Sequence, residues 1–222
     1  MGDYNKVFFS EFWSYLAPEI KIQLESSARS LEFKRGDFIY REGDTPQGLY
    51  FVKTGLVGLV LIGASSGKEH LLRFFREDQF FGHSSLFANE GYHGSTIALE
   101  PTSLKLIPKS VIFDILKGHP YLYKDVVVAL SKELRQAEIQ RVMILENQIL
   151  ARTAQAVIYL KELHPAHKWT RQEIANFCAS TVSTVIKALA ELEARGLVRQ
   201  DGRNIEVLDR QGLLALQETE AS

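Results

Sequence analysis

The chain has 222 residues, 45% hydrophobic and 24% charged, so it can bury a core in one large domain or two smaller ones, and it is neither disordered nor fibrous. Lys and Arg number 26 against 27 Asp and Glu, a net charge of -1, so any nucleic acid or anionic membrane must be met by a local patch rather than a global basic excess. One cysteine excludes an intramolecular disulfide and multi-cysteine zinc or iron–sulfur sites within one chain.

In chain order, the start Met1-Gly2-Asp3-Tyr4-Asn5-Lys6 lacks the basic segment and apolar run of a signal peptide. No apolar stretch long enough to cross a membrane follows, so a cytoplasmic protein without membrane contact is expected. Glu11 to Leu31 reads as helical packing, with Phe12, Trp13, Leu16, Ile20 and Leu24 as its apolar positions. From about residue 31 to 110 the chain is punctuated by Gly36-Asp37, Gly43-Asp44, Thr54-Gly55 and Ser65-Ser66-Gly67. Between these turns lie short runs rich in aromatic and β-branched residues, such as Leu49-Tyr50-Phe51-Val52. That pattern predicts a sandwich or barrel rather than a βαβ sheet.

After Pro120, no Gly or Pro interrupts the chain through Ile149, an unusually long helical run. Tyr123, Val127, Leu130, Leu134, Ala137, Arg141 and Ile144 follow alternating steps of four and three, the seam of a two-helix coiled coil. This predicts a self-associating helix, with a second apolar face at Val126, Val128, Val142 and Leu145 serving the β domain. The alternative is a stripe that packs only on the chain's own β domain.

Three helices and a hairpin are predicted beyond it. Ala151 to Leu163 is amphipathic, and Pro165 breaks the chain. Thr170-Arg171-Gln172-Glu173 carries the capping-box pattern of a helix start. A polar interruption at Ala179-Ser180-Thr181 precedes a second helix with Val185, Leu189 and Leu192 on its inner side, ending at Gly196. Two short helices joined by a tight turn form a helix-turn-helix. Leu197 to Leu208, around Asp201-Gly202, predicts a hairpin that serves as a wing. Gln217 to Ser222 is a small, polar tail expected to fray.

A recognition helix reads base edges from its amino-terminal turns while neighbouring groups hold phosphates. Here those turns carry Thr181, Val182, Ser183, Thr184 and Lys187. Val182 suits a thymine methyl, Ser183 several bases, and Lys187 guanine O6 and N7 or a phosphate. Thr170, Arg171 and Gln172 are the expected phosphate clamp, with Arg203 on the wing tip. Lys168 to Arg203 holds six Lys and Arg against four Asp and Glu, a weak electrostatic footprint. A protein-interaction module without DNA binding is the alternative use of the same helices.

Arg35-Gly36-Asp37 through Gly43-Asp44, then Leu49-Tyr50-Phe51-Val52-Lys53-Thr54-Gly55, resembles the glycine-punctuated β-roll of cyclic-nucleotide-binding domains. Thr170 through Leu189 to Gly196-Leu197-Val198 resembles the helix-turn-helix of the same regulators. Together they identify the chain as similar to the Crp/Fnr superfamily of bacterial transcription regulators over nearly its whole length. The resemblance implies an α+β fold: an amino-terminal, jelly-roll-like β-roll sensor over 1–118, a long dimerisation helix over 119–148, and a carboxy-terminal winged helix-turn-helix over 149–222. It implies a homodimer on a two-fold symmetric double-stranded DNA operator, with RNA polymerase as a further partner and sensor state controlling helix orientation.

The sequence departs from the cyclic-AMP-binding members. Phe81-Gly82-His83-Ser84-Ser85 stands at the phosphate-binding cassette, and His83 replaces the glutamate that holds the ribose. At the arginine–serine pair that holds the cyclic phosphate, Ser95 places Gly94 at the arginine position, or His93 with a one-residue shift. Ala137-Glu138 stands where a threonine–serine pair meets the adenine. Losing one charge-assisted hydrogen bond costs roughly 1.5–3 kcal/mol, so cyclic AMP is not expected to bind and no cofactor is predicted. Gly82, Ser84, Ser85, Ser95 and Thr96 remain candidates to cradle an anion or another polar ligand on which DNA binding depends. The alternative is a pocket filled by its own side chains. His83 and His93 lack a third metal ligand at recognisable spacing, Cys178 reads as a buried small hydrophobe, and no catalytic motif of an enzyme is present.

Overall fold

The computed structural model describes residues 16–216. Phe12 and Trp13 of the predicted first helix, and the tail from Gln217 to Ser222, lie outside the described residues. The chain forms two compact units that divide within its longest helix, between Arg135 and Gln136.

The first unit opens with α1 (Pro18–Ser27), whose Ile20 and Leu24 are buried. Helix α1 stops short of the predicted boundary because the chain turns extended at Ala28 and enters β1 (Arg29–Phe33). Then come β2 (Phe38–Tyr40), β3 (Gly48–Thr54), β4 (Leu56–Ile62), β5 (Glu69–Arg76) and β6 (Phe80–Phe81). A short helix, α2 (His83–Ala88), precedes β7 (Ser95–Ala98), β8 (Thr102–Pro108), α3 (Lys109–Gly118) and the long helix α4 (Leu122–Glu146). The strands form two antiparallel four-stranded sheets, β1-β8-β3-β6 and β2-β7-β4-β5.

The alternation of side chains along each strand explains why the strands read as continuous apolar runs. On β3, Tyr50 and Val52 enter one core cluster with Val57, Leu59, Phe75, Phe81 and Leu104. Leu49 and Phe51, on the opposite face, enter a second cluster with Ile20, Leu24, Ile112, Ile115, Leu122 and Val126 of the helices. Leu106 and Ile107 on β8, and Phe81 and Phe80 on β6, divide between the two clusters in the same way. A sheet covered on both faces needs apolar residues at successive positions.

On α4, Leu122, Val126, Ala129 and Glu133 are buried, a stripe with steps of four, three and four. Of the second apolar face expected from the sequence, Val126 is buried, whereas Val128, Val142 and Leu145 are exposed.

The second unit contains α5 (Ile149–Leu163), α6 (Arg171–Phe177), α7 (Val182–Ala194), the hairpin β9 (Val198–Asp201) and β10 (Asn204–Val207), and α8 (Arg210–Ala215). Small residues on α5, Ala151, Ala154 and Ala156, are buried and let α7 pack closely. Ile174, Cys178, Val185, Leu189, Leu192, Val198, Ile205 and Leu213 complete that core. Burial pushes the Cys178 thiol up to about 12, consistent with a packing residue rather than a reactive one.

Candidate nucleic-acid interface and effector pocket

Helix α6 begins as the sequence predicts. The Thr170 hydroxyl accepts the Glu173 amide at 3.1 Å, and Glu173 Oε2 accepts the Thr170 amide at 2.7 Å. His167 Nε2 reaches the same carboxylate oxygen at 3.3 Å. Burial works to raise the Glu173 carboxyl, but His167 and the Thr170 groups hold it below the usual carboxylate range.

All three residues of the expected phosphate clamp are engaged within the protein. Thr170 has both hydroxyl and amide in the capping box. Gln172 Nε2 donates to Asn176 Oδ1 at 2.7 Å. The Arg171 guanidinium donates to Gln200 Oε1 at 2.7 Å and to the carbonyls of Gly202 and Arg203 at 3.2 and 3.4 Å. Gln200 in turn donates from Nε2 to Glu193 Oε2 at 3.0 Å, and from its amide to Glu193 Oε1. Arg171, Gln200 and Glu193 thus brace the start of α6, the wing and the end of α7 against one another. The Arg203 side chain, on the wing turn, is exposed. Sequence reading missed Gln200, because a wing glutamine gives no sign of its partner until the hairpin folds.

Thr181 caps α7, its hydroxyl accepting the Thr184 amide at 3.2 Å and lying 3.0 and 2.8 Å from the hydroxyls of Ser183 and Thr184. Val185, Ala188, Leu189 and Leu192 face the core. Ser183, Ile186 and Lys187 are exposed, and Val182 and Thr184 are partly so. The helix therefore presents the predicted readers on one face, together with Ile186, which the apolar-stripe reading passed over.

In the first unit, Phe81 stacks on Tyr50 and Phe75 in the inter-sheet core, with ring centroids 5.0 and 5.1 Å apart. The chain then turns through Gly82, whose φ of +87° suits a residue without Cβ, into α2. This delivers His83 to the interior, where its Nε2 lies 2.9 Å from Glu133 Oε2 of α4. Arg73 Nη1 donates to that same oxygen at 2.7 Å. Arg73 stands opposite Leu59 across β4 and β5, beside a bulge that leaves Leu72 as the extra residue. Bulges re-aim side chains in this way. Burial works to raise the Glu133 carboxyl, but the His83 and Arg73 contacts hold it below the usual range.

Several other pocket candidates lie near this ion pair, with His93 within electrostatic reach of Arg73, His83 and Glu42. Ser85 Oγ lies 3.5 Å from His93 Nδ1, Ser95 Oγ accepts the Glu42 amide at 3.0 Å, and Thr96 is buried. Ser84, Ala137 and Glu138 are exposed. A Cβ on Gly94 would lie 2.9 Å from the Val60 carbonyl oxygen, so a side chain there requires a shift of β4. Arg73 and Glu133 were missed by sequence reading. The signal for Glu133 was present: a carboxylate in line with Leu122, Val126 and Ala129 on the buried stripe. Among the described residues no group of three or more His, Cys, Asp or Glu is arranged to hold a metal, and no helix is long and apolar enough to cross a membrane.

On the seam of α4, Val127 and Leu134 are 60% and 62% exposed, large values for aliphatic side chains, and Tyr123 and Ile144 are also exposed. Leu130 is partly buried, and Ala137 and Arg141 are exposed.

Residues 30–119 match the cyclic nucleotide-binding domain and residues 151–216 the Crp-like helix-turn-helix domain. The chain is 30% identical over 200 residues to the transcriptional regulator SdrP of Thermus thermophilus, covering 86% of this chain and 95% of that protein. It is 25% identical over 197 residues to the transcriptional activator protein anr of Pseudomonas aeruginosa, covering 85% and 80%. A solved Crp/Fnr-family transcriptional regulator from Thermus thermophilus superposes with a TM-score of 0.71 at 30% identity, covering 86% of this chain and 98% of that one. With a β-roll and a winged helix-turn-helix in this order, and with these relatives, the chain belongs to the Crp/Fnr family of DNA-binding transcription regulators, which are not enzymes.

Proposed function

We propose that the protein is a cytoplasmic homodimer that binds a two-fold symmetric DNA operator, one α7 per half-site, and acts there with RNA polymerase. The observation that carries this reading is α7 itself, with one face closed by Val185, Leu189 and Leu192 and the other presenting Val182, Ser183 and Lys187 to solvent. A helix shaped in this way fits the major groove. The exposed aliphatic seam of Val127 and Leu134 supports pairing through α4.

The sensor, in this reading, does not take cyclic AMP. Supporting it, Arg73 Nη1 and His83 Nε2 both donate to Glu133, so a carboxylate of the chain already partners two donors that an anionic ligand could otherwise use. DNA binding is then competent without an added nucleotide. The favoured reading is the pocket filled by its own side chains, not the ligand-dependent regulator.

The test is selection of bound fragments from random duplex DNA by the purified full chain, with and without a nucleotide pool. An enriched palindrome without additives is expected. Enrichment only with the pool would replace this reading by a ligand-dependent regulator, and no enrichment in either arm would overturn sequence-specific DNA binding.

A further inference from the structure

The exposed face of α7 carries an aliphatic ridge. Ile186 is 50% exposed. Val182 lies one turn before it, partly exposed, and Ala190 one turn after it, exposed. Residues four apart on a helix lie in one file. The fold does not call for isoleucine at 186, because the core face of α7 is completed by Val185, Ala188, Leu189 and Leu192. Helix formation does not call for it either, since a β-branched side chain is a poorer helix former than Ala, Lys or Arg.

The polar groups at the helix start are arranged differently. The hydroxyls of Thr181, Ser183 and Thr184 lie within hydrogen-bonding distance of Thr181 Oγ1 or form that cluster themselves, at 2.8 and 3.0 Å. Beside the exposed Ser183 and Lys187, the first two turns present the major groove with the aliphatic side chains of Val182 and Ile186. Of the groups on base edges in that groove, the C5-methyl of thymine is the apolar one.

We propose that Ile186 is a specificity-determining residue that packs on a thymine methyl, so that each operator half-site carries an A·T pair recognised through its methyl group rather than its hydrogen bonds. This rests on the DNA-binding reading above and adds to it the chemistry of one base position. A uracil in place of that thymine keeps every hydrogen-bonding atom and removes only the methyl, which isolates the contact.

The experiment takes the duplex enriched by the full chain, replaces each thymine by uracil in turn, and measures affinity by fluorescence anisotropy for the wild-type protein and Ile186→Ala. Burial of one methyl corresponds to a change of about four-fold, and that loss is expected in the wild-type protein at one or more thymines per half-site. At one such position the loss vanishes in Ile186→Ala, which binds thymine and uracil duplexes equally. Circular dichroism of Ile186→Ala, unchanged because the side chain is outside the core, confirms that the helix persists.

Specific binding with indifference to every uracil, or with the same methyl dependence in Ile186→Ala, overturns the inference while leaving the DNA-binding reading intact. The exposed ridge would then belong to a protein contact. Failure to enrich any duplex overturns the DNA-binding reading and this inference with it.

Discussion

Glu133 Oε2 accepts a hydrogen bond from His83 Nε2 at 2.9 Å, joining the long helix to the first residue of α2 across 50 positions of sequence. Arg73 donates to the same oxygen, while Glu133 Oε1 is buried with no hydrogen-bond partner among the described residues. Loss of the Glu133 charge relieves its desolvation but forfeits the attraction of His83 and Arg73, which outweighs that cost because the carboxyl is held below its ordinary range.

That dependence on charge has a defined pH direction. Because the folded state holds Glu133 below its ordinary range, its contribution is complete above the unfolded carboxylate value of about 4.3 and is lost as pH falls through the lower folded value. Glu133→Gln is expected to lower stability by about 1–2 kcal/mol at pH 7, with the gap to wild type closing in acid. Urea midpoints at pH 7, 5 and 3.5 measure it. A gap that stays constant down to pH 3.5 would reject the carboxylate's charge as the cause.

Arg171 and Arg203 are expected to differ in kind. Arg171 holds the wing through Gln200, Gly202 and Arg203, so Arg171→Ala weakens DNA binding by loosening the wing and leaves the salt dependence unchanged. Arg203 is exposed on the turn, so Arg203→Ala reduces the slope of log K against log salt by about 1. Salt titrations of both variants separate a brace from a phosphate contact. A slope reduced equally by Arg171→Ala would place its charge on the DNA.

Lys187 is exposed on α7. Lys187→Ala is expected to weaken operator binding by about 5- to 100-fold, the range for losing one good base contact. Thermal unfolding should be unchanged. Equal operator affinity for the variant would remove Lys187 from the readers.

Leu134→Asp places a charge on the exposed seam of α4 without entering the core. Sedimentation should show the wild-type protein as a dimer and this variant as a monomer at micromolar concentration. A dimer that survives Leu134→Asp, or a monomeric wild-type protein, would move self-association elsewhere or exclude it.

Where the information was local, the amino-acid sequence alone was sufficient. Thr170 and Glu173 are three residues apart, and their capping box formed as read. The alternation around Gly36, Gly43 and Gly55, and the stripe of Val185, Leu189 and Leu192, specify strands and helices because side chains there sort by a fixed period. The family followed from two such patterns in order. The tertiary structure decided what depends on partners distant in sequence. The link of Arg171 to the wing could not be read from sequence, because Gln200, Gly202 and Arg203 come to it only when the hairpin folds back. Glu133 meets His83 because the buried stripe of α4 places that carboxylate against α2, and a bulge in β5 adds Arg73. Polar and charged side chains carry no periodic signal for their partners, so their roles are settled by the packing that brings them together.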